Sequence, residues 1–230
     1  MHGPEPIRDD GADGAQLDQP TLDDGVTLLR PPDARSTALH RLVVDALADA
    51  DRAGGPAYWV DARNAAVSHA LYRLAPADRA LRGLQVARAF TAYQHLELVR
   101  TLARRARPGT RLVVAPNVAS LYRDGDVPDG EADRLLRAAL ATLSELGDAL
   151  DCPVVVSATG DDDHADRVAD AADRVVDCER TALGLTYDAP GFDVDGYHRG
   201  DHWQTTIPYW VDLCGRLEPV DPRFTAEVPA

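Results

Sequence analysis

A length of 230 residues suits one domain, or one domain with a tail, and 45% apolar residues is ordinary for a chain that buries a core. No run of 18 apolar residues exists, and the N-terminal MHGPEPIRDDGADG has neither a basic region nor an apolar stretch, which argues against a membrane span and a secretory leader. The net charge is −14, every basic residue is arginine, and Cys152, Cys178 and Cys214 form no CxxC pair, so a zinc site and a disulfide framework are not expected and a reducing cytoplasm is.

In chain order, residues 1–24 are rich in Gly, Pro and Asp and read as a flexible acidic tail, and 25–230 as a single domain. Val26–Leu29 is a short apolar run, a buried strand. Thr37–Ala50 places Leu39, Leu42, Val43, Ala46, Leu47 and Ala50 on one helical face. Gly54, Gly55 and Pro56 break it, and Ala57–Val60 is the next strand. Asn64 is a candidate cap for a helix whose apolar positions are Val67, Leu71 and Leu74. Leu84–Ala89 is a strand, and Thr91 with Gln94 has capping-box spacing before a helix carrying Leu96, Val99 and Leu102. Pro108 and Gly109 end that helix, and Arg111–Ala115 is a strand. The longest helix spans about 131–150 and turns Leu135, Leu136, Ala139, Leu140, Leu143 and Leu146 inward. Pro153–Ser157, Arg174–Cys178 and Ala182–Tyr187 complete the strands. Repeated strand–helix–strand units imply a mainly parallel sheet covered on both faces, an α/β fold.

Few residues form a chemical constellation on spacing alone. His198, Asp201 and His202 lie in a short Gly-containing stretch that reads as a surface turn or hairpin rather than a metal site. His69, His95 and His164 have no visible partner, and no nucleophile elbow is present. Asp61 and Arg63 follow a strand, at the end where open α/β sheets bind ligands, and are a candidate small-ligand contact. Trp203–Trp210 is aromatic, which suits packing on the domain's own sheet or an interface.

Three segments resemble the archaeal RadA and RadB recombinases. Residues 83–95 (GLQVARAFTAYQH) are similar to the family's VARAFNTDHQ segment. Residues 111–123 (RLVVAPNVASLYR) are similar to its Walker B strand, LVVVDSVTALYR. The helix at 131–150 running into DCPVVVS resembles the segment ending in IPVVVTNQ. The acidic, lysine-free composition resembles that of haloarchaeal proteins, in which molar salt screens self-repulsion to a range of about 3 Å. The resemblance covers about Val26 to Ser157 and implies a three-layer RecA-like P-loop NTPase fold, without the extra N-terminal DNA-binding domain of RadA.

It also implies what is missing. The family's phosphate loop, G-x-x-x-x-G-K-[ST], uses glycines for close backbone approach, lysine for the phosphate oxygens and a hydroxyl for Mg²⁺. Here the stretch is Arg30, Pro31, Pro32, Asp33, Ala34, Arg35, Ser36, Thr37. Arg30 and Arg35 stand at the glycine positions, Ser36 at the lysine, and only Thr37 matches. The metal-holding Asp falls on Pro116, the catalytic Glu on Arg63, and the sensing NQ on Ala158 and Thr159. The expectation is therefore a pseudo-ATPase with no catalytic residue, no resident metal, and ATP and Mg²⁺ lost as cofactors. Asp33 and Asp61 are expected to pair with Arg30, Arg35 or Arg63 and close the old site.

The loops matching the family's DNA-binding loops, 123–129 and 160–166, are acidic, so DNA binding is expected to be weak or absent. Arg100, Arg104, Arg105 and Arg107 read as a solvated helix end whose cations complement the helix C-terminus. The expected function is that of an inactive RadA/RadB-like paralogue, halophilic and archaeal in character. It would serve DNA recombination or repair through contacts with a recombinase or another protein, without a membrane. A KaiC-like regulatory or scaffold domain without a DNA role is the alternative, and a divergent ATP-binding protein the most distant one.

Overall fold

The structure, a computed structural model, describes residues 22–33, 35–48, 54–181, 184–189, 196–199 and 202–205. Its elements in chain order are β1 (Gly25–Arg30), α1 (Ala38–Ala48), β2 (Ala57–Ala62), α2 (Ser68–Leu74), β3 (Leu84–Ala89), α3 (Ala92–Arg105), β4 (Leu112–Ala115), α4 (Asp129–Leu150), β5 (Pro153–Ser157), α5 (Asp163–Asp170), β6 (Arg174–Thr181), β7 (Gly184–Asp188), β8 (Gly196–Arg199) and β9 (His202–Thr205). They build one nine-stranded sheet in the order β3-β2-β4-β5-β1-β6-β7-β8-β9. The six strands from β3 to β6 pair in parallel, and β6 to β9 pair antiparallel. The fold is thus α/β with a mainly parallel sheet and helices on both of its faces.

A parallel strand covered on both faces must be apolar on both, and successive side chains point to opposite faces. Leu28, Val113, Val154 and Val156 join α3, α4 and α5 in one core. Leu29, Leu112, Val114 and Val155 join α1 and α2 in the other, with Trp59 fully buried there. The sequence assigns residues 22–24 to the tail, yet Leu22 is buried in this second core and Asp23 pairs with Arg174.

Local signals set some boundaries and not others. Thr91 caps α3, its hydroxyl accepting from the Gln94 N–H at 3.2 Å, while the Gln94 side chain accepts from the Phe90 N–H at 2.9 Å. Asn64, expected to cap α2, does not: the helix starts at Ser68 after Val67, and Asn64 has a left-handed backbone, φ +59°. The competing interaction is the buried Asp61 carboxylate, which takes the Ala65 and Ala66 N–H groups. The helix expected from 131 begins at Asp129, and the strand expected at 174–178 extends to Thr181. The strand expected at 182–187 is β7, 184–188; residues 182 and 183 lie outside the described residues. The backbone around 196–205 is a hairpin, as its composition implies, with Asp201 and all of 206–230 outside the described residues.

Arg111 precedes β4 instead of opening it and is buried. Its guanidinium donates from Nε to the Gly55 carbonyl at 2.7 Å, from Nη1 to that of Leu47 at 3.2 Å and from Nη2 to that of Arg82 at 2.8 Å. One side chain thereby ties the end of α1 to the entries of β2 and β3. Arg111→Met leaves those three carbonyls without their donor and is expected to lower stability by about 3 kcal/mol. Urea denaturation at constant salt checks it; a loss under about 1 kcal/mol would contradict the bracing role.

Candidate functional site

In open α/β sheets ligands bind beyond the carboxyl ends of the strands, where adjacent connections leave to opposite faces. The chain from β2 returns through α2 on one face, and the chain from β4 returns through α4 on the other. The neighbouring ends of β2 and β4 meet this condition, as do those of β5 and β1, whose chains return through α5 and α1 on opposite faces. Arg63 and Pro116 stand at the ends of β2 and β4, and the stretch from Arg30 to Thr37 leaves β1 on the same edge of the sheet.

The β2 end is organised by Asp61, whose side chain is fully buried. One carboxylate oxygen accepts from the Ala65 N–H at 2.7 Å and the Ala66 N–H at 3.1 Å, and the other lies 3.2 Å from Arg88 Nε. To turn back onto this carboxylate, Arg63 and Asn64 take successive left-handed conformations, φ +62° and +59°. Such a backbone costs about 1–2 kcal/mol for a residue with a Cβ. It throws the Arg63 side chain across the crevice, where Nη2 donates to the Ser120 carbonyl at 3.1 Å and pairs with Asp124.

At the β4 end Pro116 has no ligating side-chain atom. Pro116 is buried, and Asn117, φ +48°, donates its N–H to Ser157 Oγ at 2.9 Å. The following short 3-10 helix, Ser120–Arg123, sends Arg123 to Asp162 beyond β5, at 2.5 and 2.7 Å, and to the Thr159 carbonyl at 3.0 Å. Hydrogen bonds from Arg123 hold the Asp162 carboxyl down to about 2 against its partial desolvation. Asp162 also caps α5, accepting from the Ala165 N–H.

The β1 end turns tightly. Arg35 donates its N–H to the Asp33 carboxylate at 2.8 Å, Ser36 its N–H to the Asp33 carbonyl at 3.1 Å, and Ala38 its N–H to Ser36 Oγ at 3.2 Å. Pro31 and Pro32 have no N–H. Three backbone donors of this stretch, those of Arg35, Ser36 and Ala38, are thus engaged within the turn itself. Ala34 lies outside the described residues. Arg30 pairs with Asp177 and Asp33 with Arg180, each at 3.7 Å.

The pairing expected from sequence is therefore corrected in its partners. Asp33 and Asp61 do not pair with Arg30, Arg35 or Arg63; they meet Arg180 and Arg88. The arginines of the edge instead find Asp124, Asp162 and Asp177, in loops or strands far away in sequence. Sequence reasoning missed Arg123, Asp124, Asp162, Asp177 and Arg180, because no spacing rule joins residues 39 or 61 positions apart. Thr37 makes its visible contribution through its carbonyl, which accepts from the Arg41 N–H in the first turn of α1. Of the Arg100–Arg107 cluster, Arg104 pairs with Glu97 at 2.8 Å on the α3 surface. No helix among the described residues is long and apolar enough to cross a membrane.

Comparison with protein-family models and with curated proteins finds no match to this chain.

The 3-10 helix that carries Arg123 is held to α3 by His95, fully buried, whose Nδ1 lies 2.7 Å from the Tyr122 hydroxyl. Burial pushes the His95 pKa down to about 4. As pH falls from about 6.5 to 4, the unfolded chain takes up this proton before the native one, so about 3 kcal/mol of stability is lost across that window. Asp45 acts with the opposite sign: burial, partly offset by Arg41, raises it to about 6, so the native state protonates first and gains stability as pH falls from 6. His40, whose pKa burial also lowers, acts in the same sense as His95. His95→Gln removes the first contribution, and the urea stability lost on acidification from pH 6.5 to 4 should then be smaller than in the unaltered protein. A variant whose pH profile parallels the unaltered protein would refute the assignment.

Proposed function

We propose that the chain is a RecA-like domain of the RadA and RadB type that no longer hydrolyses ATP and serves DNA recombination or repair through protein–protein contacts, with a recombinase as the leading partner. The observation that carries this reading is placement. The four stretches that resemble the family's reaction centre, Arg30–Thr37, Arg63, Pro116 and Ala158–Thr159, all fall on one edge of the sheet, at the ends of β1, β2, β4 and β5. Each stretch directly follows a strand, as its counterpart in the family segments does, and the parallel pairing of these strands brings the four together.

Loss of the chemistry follows from what stands there. Phosphoryl transfer relies on backbone donors, a lysine, Mg²⁺ and a group that orients water. At these positions the donors of Arg35, Ser36 and Ala38 are engaged, Pro116 has no ligating atom, and Arg63 is a cation already bound to Asp124. With chemistry gone from the edge, what remains to the domain is its surface.

In molar KCl with Mg²⁺, calorimetry is expected to give no saturable heat for ATP and a turnover assay no phosphate release. A micromolar dissociation constant, or turnover abolished by Arg35→Ala, would overturn the inactive reading. Sedimentation with a RadA-type recombinase in the same salt tests the partner; two independent boundaries would overturn that half.

A further inference from the structure

Charge is unevenly distributed along this chain. Of its 24 arginines, ten lie between Asp61 and Arg111, against three acidic residues, Asp61, Asp78 and Glu97. The rest of the chain holds fourteen arginines against thirty-five acidic residues. A protein so acidic overall repels anions, and a stretch with an excess of arginine weakens that repulsion locally.

Three arginines of this stretch line a concavity of about 660 Å³ at the amino ends of β2, β3 and β4, the edge of the sheet opposite the one described above. Arg79, Arg82 and Arg111 line it together with Pro56, Pro76 and Ala77. A guanidinium has five N–H groups. Arg111 gives three of them to neutral carbonyls. Among the described residues no carboxylate pairs with Arg111, Arg79 or Arg82. Burial lowers the Arg111 pKa and no neighbouring carboxylate opposes that shift. Buried charges are normally paired, because desolvating an unpaired one is costly. Here a buried cation that, among the described residues, meets only neutral carbonyls lines a hollow large enough for a ligand.

The backbone around the hollow is built for close approach. A Cβ on Gly55 would stand 1.7 Å from the Gly109 carbonyl oxygen, so only glycine lets these two loops meet over Arg111. Gly83, with φ +84°, turns the chain into β3 beside Gly55.

We propose that this concavity binds a small organic oxyanion, a phosphate or carboxylate with an apolar body. The planar forks of Arg79 and Arg82, with the remaining N–H groups of Arg111, hold the anionic group, since guanidinium matches the geometry of two oxygens at once. Pro56, Pro76 and Ala77 cover the apolar part. The inference is independent of the reading of the opposite edge, since it uses none of its residues.

The test uses phenyl phosphate as probe, with the arginine Nε–H signals followed by NMR at constant ionic strength. Saturable shifts are expected at Arg79, Arg82 and Arg111, with a dissociation constant of about 1 mM or tighter. Arg79→Gln with Arg82→Gln, which change two exposed side chains and keep the Arg82 carbonyl that Arg111 uses, should weaken binding about tenfold or more, given the strength of bidentate charge-assisted bonds. Arg79→Lys with Arg82→Lys keeps the charge without the fork and should fall between. Shifts that stay linear and affect Arg100 and Arg105 equally would mean ion screening alone and overturn the proposal. So would unchanged affinity in the double Gln variant, or inorganic phosphate competing no better than chloride.

Discussion

Parallel strands cannot be joined by hairpins, so each step from β1 to β6 carries the chain back across a face of the sheet. That constraint governs the rest of this molecule. It demands that the strands be apolar on both sides, which the alternation of Leu28 with Leu29 and of Val154 with Val155 satisfies. It also sends every carboxyl end to one edge and every amino end to the other. The loops that could carry chemistry are thereby sorted into two groups before any side chain is considered.

The two edges solve their electrostatics in opposite ways. At the carboxyl edge four arginines meet carboxylates from neighbouring loops or strands: Arg63 with Asp124, Arg123 with Asp162, Arg30 with Asp177, Arg180 with Asp33. Exposed pairs of this kind contribute about 0–1 kcal/mol each and less in salt. At the amino edge Arg111 is surrounded by carbonyl dipoles, which satisfy its hydrogen bonds without cancelling its charge.

Asp61 links the fold to the site. A buried carboxylate must be satisfied, and it is satisfied by the N–H groups of the very loop it precedes. The left-handed pair Arg63 and Asn64 follows from that bond, and the direction of the Arg63 side chain follows from the pair. One buried acid thus sets both where α2 begins and what fills the crevice.

The sequence by itself determined the class of fold, because apolar runs of strand length alternating with amphipathic helices leave few ways to bury both faces of β1, β4 and β5. It determined local features whose partners are close along the chain, such as the Thr91 cap bonded within α3's first turn. It also exposed the absence of lysine. Only the tertiary structure decided that Asn64 is no cap, that Asp61 turns to Arg88 and Arg63 to Asp124, and that Arg111 sits buried over a hollow. Those facts depend on residues tens of positions apart brought together by strand order, and a side chain's hydrogen bonds are chosen by what is near it in space.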